Sequence, residues 1–189
     1  MKNLPHIVFL TAIFVAFSCS FLFPRHAVSA QAVGNISANA LSALKIHGAA
    51  PLNFGYVQGG PRGGSVRLLP TGGISPAAGR RSATGDVRAP RGLDHHLAAF
   101  FVAGDAGKTY FIFLPSDVTA VRDQGRMPGG GLRVENLSAY SITKRAVGDM
   151  GQLDAKGRDT LYVGGDLIVP PGAPSGVYRA DFDVTVAYP

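Results

Sequence analysis

Apolar and polar side chains alternate near the end of the chain. Every even-numbered residue from Tyr178 to Tyr188 is apolar, whereas the residues between them are mostly polar: Arg179, Asp181, Asp183 and Thr185. A period of two places one side of a β-strand against a core and the other side in water. The pattern therefore predicts a half-buried strand over Tyr178–Tyr188.

Two aromatic-rich runs, Leu97–Val102 and Tyr110–Leu114, lie on either side of the glycine-containing segment Gly104–Lys108. Apolar runs joined by a short loop of this kind are typical of a β-hairpin. We expect Val102 to pair with Tyr110. One face of the hairpin then carries Ala98, Phe100, Val102, Tyr110, Ile112 and Leu114.

The opposite face of the predicted hairpin carries three phenylalanines. In that register Phe101 faces Phe111, and Phe113 lies beside them. Each exposed ring would forgo about 2–3 kcal/mol of burial, and a cluster of exposed rings commonly marks an interaction site. We therefore predict that the three rings form a contact patch for a partner or a neighbouring copy. The alternative is that a long loop, such as Thr71–Arg91, covers them.

Short runs rich in β-branched and aromatic residues recur between glycines and prolines. They predict further strands at Leu52–Val57, Ser65–Leu69, Val118–Arg122, Leu132–Glu135 and Thr160–Val169. The last strand contains a predicted bulge or bend at Gly164-Gly165, and loops are expected at Gly59–Gly64, Thr71–Gly85 and Pro128–Gly131. Turn signals recur about every ten residues without a sustained helical period, which predicts an antiparallel β-sandwich or barrel.

The first thirty residues have the composition of a secretory signal peptide. Lys2 precedes an apolar stretch over Ile7–Phe23, and the small residues Ala27–Ala30 form a cleavage site. Cleavage there leaves residues 31–189 as a single domain in the periplasm, at the cell surface or in the medium, with no stable membrane span. Two alternatives are a retained membrane anchor, for which the stretch is marginal in length, and a lipoprotein attached through Cys19.

Charge and cysteine content restrict the partners to be expected. Without Lys2 and Arg25 of the leader, 16 of the 18 basic side chains remain against 12 acidic ones, a formal charge of +4. The basic residues are scattered rather than gathered with stacking aromatics, so no nucleic-acid partner is predicted. A polyanion-binding face, for lipopolysaccharide for example, is the alternative to a plain solvated surface. Cys19 is the single cysteine, and its loss with the leader leaves no thiol for disulfide, metal or nucleophilic chemistry.

No motif predicts catalysis, a cofactor or a metal. Gly104–Thr109 has the ending of a phosphate-binding loop, but an apolar strand follows it instead of the helix that would hold a phosphate. His95 and His96 are adjacent and would point to opposite faces of a strand. Glu135 is the one glutamate, and the aspartates lie beside glycines or on polar strand faces, as turn and surface residues do. The sequence therefore predicts no catalytic, cofactor-binding or metal-binding residue.

Several runs, taken in order, resemble the domain-of-unknown-function family 4402. They are Leu52–Gly55, Gly64–Gly72, Ala98–Gly104, Tyr110–Pro115, Leu161–Leu167, Gly176–Tyr178 and Val184–Tyr188. The resemblance implies a secreted β-domain of Gram-negative bacteria, similar to adhesin and pilin domains with an immunoglobulin-like antiparallel sandwich, and it supplies no catalytic residues. It also implies small polar residues where this chain has Phe101, Phe111 and Phe113.

The resemblance to chaperone–usher pilins implies assembly by a donated strand, in which a neighbour's N-terminal extension completes the sheet. The segment Val33–Ile46 of a neighbour would then fill a groove beside Tyr178–Tyr188, with Ile36, Ala38 and Ala40 as its inward side chains. The alternative is that this segment is the first strand of its own domain.

Together these observations favour an exported structural or adhesive subunit, fimbria-like, that acts through protein partners or self-association without catalysis. The first alternative is a self-contained periplasmic or secreted binding module. The second, from a different class, is an enzyme whose site no motif reveals. A secreted enzyme of this size usually shows a cluster of histidines or carboxylates, and this sequence does not.

Overall fold

Twelve β-strands, all paired antiparallel, form the regular structure of the residues that the computed structural model describes, 42–70, 79–90, 94–123 and 131–189. No helix occurs within these ranges. The predicted signal peptide, residues 1–30, lies outside them. The strands are β1 (Lys45–Ala50), β2 (Gly64–Leu69), β3 (Arg80–Gly85), β4 (Ala98–Ala103), β5 (Thr109–Phe113), β6 (Asp117–Arg122), β7 (Leu132–Ser141), β8 (Ala146–Val147), β9 (Met150–Gln152), β10 (Arg158–Val169), β11 (Tyr178–Arg179) and β12 (Thr185–Ala187).

The strands are divided between a large and a small sheet. In the nine-stranded sheet β1, β4, β10, β7, β6 and β11 lie side by side, while β2 also pairs with β10, β3 with β2, and β8 with β7. The three-stranded sheet has the order β12, β5, β9. The two sheets form a sandwich, which confirms the predicted antiparallel all-β sandwich. Its immunoglobulin-like character stays a prediction.

Strand β10 is the centre of the large sheet. Its first half, Arg158–Val163, pairs with β4, and its second half, Gly165–Val169, pairs with β2, while β7 follows its other edge. Gly164 lies at the junction between the two halves. A Cβ atom there would lie 2.8 Å from Leu97 Cδ2 and 2.9 Å from Pro70 Cδ, so only glycine lets the neighbouring strand ends approach this closely.

A bulge lies at the predicted glycine pair, but its extra residue belongs to the partner strand β7 and not to β10. Between consecutive partners, β10 has only Gly165, whereas β7 has two residues, Asn136 and Leu137. Asn136 adopts a left-handed backbone with φ 54°, which asparagine tolerates better than most residues. A side chain at Gly165 would crowd the bulge, since its Cβ would lie 3.0 Å from Leu137 Cδ2.

Two apolar clusters form the core beneath the large sheet. The first joins residues of both sheets and contains Ala98, Val102, Tyr110, Ile112, Ala139, Leu153, Leu161 and Val163, with Phe100 and Leu114 among its partly buried neighbours. This confirms the predicted inward face of β4 and β5. The second is covered by irregular segments and contains Val66, Val87, Ala120, Leu132, Val134, Leu167 and Val169.

The predicted hairpin between β4 and β5 is wrong, although both strands exist. Strand β4 pairs with β1 and β10, and β5 pairs with β9 and β12, so the chain crosses between the sheets at Gly104–Lys108. Val102 and Tyr110 are both buried in the first cluster instead of being paired in one sheet. A hairpin would have left aromatic rings on both of its faces, whereas the crossing lets each strand bury its even-numbered side against the other sheet.

The strand predicted over Leu52–Val57 is also wrong. Asn53 forms one isolated bridge with His96, and the Asn53 side-chain oxygen then accepts a hydrogen bond of 2.8 Å from the Gly55 amide. Gly55 has φ 70°, so this turn ends the extended conformation. The segment nevertheless contributes apolar cover, since Leu52, Phe54 and Val57 pack against the second cluster.

The predicted loop Thr71–Gly85 is wrong in its last part, where Arg80–Gly85 forms β3. Among the described strands this edge strand pairs with β2 alone, and the Ser65 and Thr84 hydroxyls are 2.8 Å apart across the pair. Because most of its side chains are exposed, β3 has no apolar pattern to reveal it. Residues 71–78 and 128–130 of the predicted loops, like much of the covering loop Thr71–Arg91, lie outside the described residues.

The remaining strand predictions are confirmed within β2, β6, β7 and β10, although β7 extends to Ser141. The terminal alternation is confirmed as well, since Phe182, Val184, Val186 and Tyr188 pack on the first cluster. The prediction of one continuous strand there is wrong. Strand β11 pairs with β6 in the large sheet and β12 pairs with β5 in the small sheet, so the terminal segment crosses between them.

The first strand bears on the proposed donor segment. Lys45 and Ile46, at the end of Val33–Ile46, belong to β1, in which Ile46 pairs with Val102 of the same chain. This end of the segment is therefore a strand of its own domain. The inward side chains proposed for donation, Ile36, Ala38 and Ala40, lie outside the described residues.

Candidate interaction surface

The outer face of the large sheet carries a row of apolar side chains across four neighbouring strands. Tyr162 of β10 pairs with Ala99 of β4 and with Tyr140 of β7, and Tyr140 pairs with Val147 of β8. Directly paired residues project on the same side of a sheet. These four side chains therefore lie next to one another on the side that faces away from the core.

Two further apolar side chains extend this row. Phe101 pairs with His47 and Thr160 in the adjacent row, and Ile142, exposed in the turn after β7, donates its backbone N–H to the Thr160 carbonyl oxygen at 3.0 Å. Phe101 is 55% exposed, Val147 54% and Ile142 37%, whereas the two tyrosines are half-buried. We call this surface the aromatic face, defined by Phe101, Tyr140, Ile142, Val147 and Tyr162.

Cations lie at one end of the aromatic face. Lys45 and Arg158 both pair with Ala103, so they share one row across the sheet. Lys144 and Arg145 lie in the turn that joins β7 to β8, and all four cationic side chains are exposed. This end is therefore basic.

Carboxylates lie at the opposite end. Glu135 of β7 pairs with Asp166 of β10 on one side and with Asp117 of β6 on the other. Arg67 and Arg133 compensate part of this charge, since Arg67 pairs with Asp166 and Arg133 contacts Glu135. Arg80 of β3, which pairs with Leu69 on the same side of the sheet, is exposed as well, so three guanidinium groups balance three carboxylates in this half of the face.

A buried carboxylate lies directly beneath the aromatic face. Asp159 is 5% exposed, and its Oδ2 accepts hydrogen bonds of 2.6 Å from both the Tyr110 and the Ser141 hydroxyls. Tyr110 belongs to the small sheet, so this contact connects the two sheets. Burial, together with the nearby Asp159 carboxylate, raises the pKa of the Tyr110 phenol and keeps it protonated as a donor.

The same carboxylate positions the turn that carries part of the aromatic face. Its Oδ1 accepts hydrogen bonds from the backbone N–H groups of Thr143 (2.9 Å) and Thr160 (2.8 Å). The Lys144 N–H donates to the Ser141 hydroxyl oxygen at 3.1 Å. Ile142 and Lys144 are therefore displayed from a turn that is fixed by the core rather than from a free loop.

Asp166 is held in a second, separate group at the bulge. The Arg67 guanidinium donates to both of its oxygens, with Nε–Oδ1 2.7 Å and Nη2–Oδ2 2.6 Å, and the Asn136 amide donates to Oδ2 at 3.1 Å. The Arg67 guanidinium holds the pKa of Asp166 below its usual value, and Asn136 adds to this against the opposing effect of burial. The bulge thus supplies Asn136 as a hydrogen-bond donor to Asp166, which a regular strand would lack.

The predicted contact patch is divided between the two sheets. Phe101 belongs to the aromatic face, but Phe111 and Phe113 lie on the outer side of the small sheet, with their ring centroids 6.4 Å apart. Phe111 pairs there with Met150 and Ala187. The structure therefore does not bring Phe101 together with the other two rings, because the hairpin that would have joined them does not form.

Sequence reasoning missed Tyr140, Tyr162 and Val147. Tyr162 lies in a predicted strand, and its even-numbered position already assigned it to the side opposite Leu161 and Val163. Tyr140 and Val147 had no such signal, because β7 was predicted to end at Glu135 and β8 has only two residues. A prediction that placed these side chains in one row would have required β7 to extend past Glu135 and β8 to be recognised as a strand.

Among the described residues, metal-ligating side chains lie apart from one another. Across the described ranges, no three His, Cys, Asp or Glu side chains come together in a way that could hold a metal ion. His96 forms the backbone bridge with Asn53, and His47 lies beside Phe101.

Within the part of the chain that the structure describes, no helix has the length and apolar character needed to cross a membrane.

Comparison with known proteins identifies one family. A family model described as a domain of unknown function, DUF4402, matches residues 44–188. This range contains every residue of the aromatic face and all of the described chain except Ser42, Ala43 and the final proline. Neither a curated protein nor a solved structure matches the chain.

Proposed function

The chain belongs to the family described as domain of unknown function DUF4402, and on this premise we propose that it is an exported structural or adhesive subunit of the bacterial envelope. It acts through protein–protein contacts rather than through catalysis. The aromatic face is the surface that makes these contacts.

The composition of the aromatic face carries this proposal. Protein interfaces are enriched in aromatic residues at their centre and have polar or charged rims, and tyrosine is frequent among the residues that dominate binding energy. Here Tyr140 and Tyr162 occupy the middle, and Phe101 and Val147 stand exposed beside them. A cluster of exposed apolar side chains on a sheet face is costly in water unless a partner covers it.

The interior polar groups support a structural role. Among the described residues, no buried side-chain nitrogen or oxygen lacks a hydrogen-bond partner. Asp159 and Asp166 are each occupied by donors of the same chain, and those donors connect strands and fix a turn. These carboxylates serve the scaffold that displays the aromatic face.

A photo-crosslinking experiment on the exported protein tests the proposal. A photoreactive phenylalanine analogue replaces Phe101 in the full chain, expressed in a Gram-negative host, and the same analogue at Phe113 is the matched control because both rings are 55% exposed. We expect protein adducts from position 101 well above those from position 113. Equal adduct levels at both positions would contradict the claim that the aromatic face makes the protein–protein contacts. No adducts at either position would favour a self-contained binding module.

The same samples test export. N-terminal sequencing of protein recovered from the periplasm, cell surface or medium should begin at Gln31. A chain that still begins at Met1 and stays in the membrane fraction would contradict the export on which the proposal depends.

A further inference from the structure

The basic end of the aromatic face gathers cations from three separate parts of the chain. Lys45 of β1 and Arg158 of β10 lie on either side of β4 in one row, so their backbones are about 10 Å apart. The β7–β8 turn lies beside this row, because the Thr143 hydroxyl donates to the Arg158 carbonyl oxygen at 3.5 Å. That turn adds Lys144 and Arg145 to the basic end.

The β7–β8 turn holds its two cations in place. Asp159 accepts the Thr143 N–H, and the Ser141 hydroxyl oxygen accepts the Lys144 N–H. The Arg145 N–H donates to the Ser141 carbonyl oxygen at 2.8 Å. Arg145 has φ 58°, a left-handed conformation that is uncommon for a residue with a long side chain. Backbone strain of this kind clusters at functional sites.

The carboxylates around the basic end do not neutralise it. They are Asp105, Asp149, Asp154 and Asp159. Lys108 and Lys156 are exposed in the same connections as Asp105 and Asp154, whose oxygens accept backbone N–H groups. Asp159 is buried, and Asp149 lies beyond β8 from the turn. Six exposed cations therefore exceed four carboxylates, and among the described residues none of the four cations of the basic end forms an ion pair.

We propose that the basic end binds the phosphate groups of lipopolysaccharide in the outer membrane. An arginine guanidinium matches phosphate oxygens with two parallel hydrogen bonds, and a lysine ammonium adds a mobile point charge. Because the turn is already ordered, its cations lose little conformational freedom when a ligand binds. The inference goes beyond the proposed function and rests on the export that it requires, since lipopolysaccharide lies outside the inner membrane.

Two observations favour lipopolysaccharide over other anions. It carries several phosphate groups on one molecule, so it can contact Lys45, Arg158 and the turn together, whereas one small anion would leave most of these cations without a partner. Ile142, which is 37% exposed, begins the same turn and places an apolar side chain beside the cations. Cations next to exposed apolar side chains are typical of surfaces that bind anionic lipids. The tyrosine row stays available to the protein partner.

The first test measures co-sedimentation of the exported protein with phosphatidylcholine vesicles that contain purified lipopolysaccharide. We expect salt-sensitive binding, which Lys144→Gln with Arg158→Gln should weaken by about tenfold or more. Arg80→Gln with Arg88→Gln is the matched control, because it removes two exposed cations outside the basic end. It should weaken binding by less than about threefold. Equal weakening by the two double variants would overturn the proposal.

Two further vesicle preparations identify the group that is bound. Vesicles with enzymatically dephosphorylated lipopolysaccharide should bind at least about tenfold more weakly. Vesicles with phosphatidylglycerol at the same surface charge should also bind more weakly, because each of these lipids carries a single diester phosphate. Full binding to the dephosphorylated material would show that phosphate is not the ligand. Equal binding to phosphatidylglycerol would show that any anionic lipid surface suffices, and either result would overturn the proposal.

A variant of the turn tests binding separately from folding. Arg145→Gly removes one cation and places at a positive φ the residue that adopts it most easily. It should weaken lipopolysaccharide binding by about threefold or more without lowering the urea midpoint of unfolding. Unchanged binding would contradict the role of the turn. Urea unfolding of the Lys144 and Arg158 double variant shows whether its loss of binding occurs in a folded protein.

Crosslinking at position 101 distinguishes this proposal from the proposed function. If the wild type does not bind lipopolysaccharide while position 101 still forms protein adducts, the phosphate site is wrong and the proposed function stands. If lipopolysaccharide binds and no protein adducts form, the reverse holds. If lipopolysaccharide does not bind but the Lys144 and Arg158 double variant lowers the protein adducts, the cations face an acidic protein partner and the proposal is overturned.

Discussion

At the scale of single residues, two buried carboxylates, Asp159 and Asp166, connect parts of the scaffold by accepting hydrogen bonds from the same chain. Asp159 connects the small sheet to the large one through the Tyr110 hydroxyl, and it holds the turn that displays Lys144. Asp166 lies on the outer side of the same strand, covered by Arg67 and Asn136. Both are fully provided with donors, so their burial does not leave an uncompensated charge.

Replacing Tyr110 with phenylalanine should destabilise the protein. The change removes one donor from Asp159, and a lost hydrogen bond to a charged buried group costs about 1.5–3 kcal/mol. Tyr56→Phe is the control, because Tyr56 is 70% exposed. Urea unfolding at pH 8 measures both variants, and a Tyr110→Phe protein as stable as Tyr56→Phe would contradict the role of this contact.

The Tyr110 variant also has a pH signature. Because folding raises the pKa of this phenol, its contribution is present below the ordinary phenol pKa of about 10 and is lost as the pH rises above it. The stability difference between wild type and Tyr110→Phe should therefore shrink between pH 8 and pH 11. An unchanged difference would mean that Tyr110 does not titrate differently in the folded state.

Asp166 should make the stability sensitive to acid. Folding lowers its pKa, so its contribution is present above the unfolded value of about 3.9 and is lost as the pH falls through the lower folded value. Asp166→Asn should cost about 1.5–3 kcal/mol at pH 7, since Arg67 loses a charged partner. The difference from wild type should shrink towards pH 2.5.

The control for this comparison is Asp183→Asn, at an exposed position on the terminal segment. It should leave stability nearly unchanged at both pH values. Unfolding midpoints at pH 7 and pH 2.5 decide the matter. A gap between wild type and Asp166→Asn that stays constant or widens in acid would show that the Arg67 pairing does not set the acid response.

At the scale of elements, β10 is the strand on which the large sheet depends, and it was well predicted from the sequence. Its alternation and its glycine pair are local features, so they are visible without knowledge of partners. Glycine is required at the two positions for different reasons. At Gly164 the ends of β2 and β4 approach closely, and Gly165 lies opposite the β7 bulge. Both constraints exclude a side chain.

Gly164→Ala should cost about 3 kcal/mol or more, because the new Cβ would overlap the Leu68 carbonyl oxygen as well as Leu97 and Pro70. Gly48→Ala is the matched control within a strand, since its Cβ would meet the Phe100 ring at an ordinary 3.8 Å. Thermal unfolding compares the two. A Gly164→Ala protein within about 0.5 kcal/mol of wild type would contradict this packing.

The hairpin that was predicted for β4 and β5, and that the structure does not contain, shows what sequence patterns leave undetermined. The two runs and the loop between them are equally compatible with a hairpin and with a crossing between sheets, because alternation fixes which side is buried and not which strand lies beside it. The conflict was visible in the residues themselves: a hairpin would have had Phe101 and Phe111 on its second face as well. Such a disagreement between local pattern and global fold is a sign of a wrong partner.

The strands β3 and β8 were not predicted from the sequence, because neither shows a periodic apolar pattern. The edge strand β3 is held by backbone pairing with β2 and has mostly exposed side chains, so nothing in its composition distinguishes it from a loop. The two-residue β8 is too short for any period to show. The candidate site was therefore only partly predictable: Phe101 was identified, while Tyr140 and Val147 depended on strands whose extent was not.

At the scale of the whole molecule, the aromatic face combines an apolar centre with a basic end. The net charge of +4 predicted for the chain without its leader would not have suggested this, since it averages over the whole surface. The sheet register gathers these cations, because Lys45 and Arg158 both pair with Ala103.

The most direct measurement is hydroxyl-radical footprinting of the exported protein, once purified and once in the intact envelope. Oxidation of Phe101, Tyr140 and Tyr162 should be lower in the envelope, because a partner there covers the aromatic face. Oxidation of Phe113, on the outer side of the small sheet, should be the same in both samples. Protection of Phe113 instead, or equal oxidation of all four side chains in both samples, would contradict the claim that this face is where the protein makes its contacts.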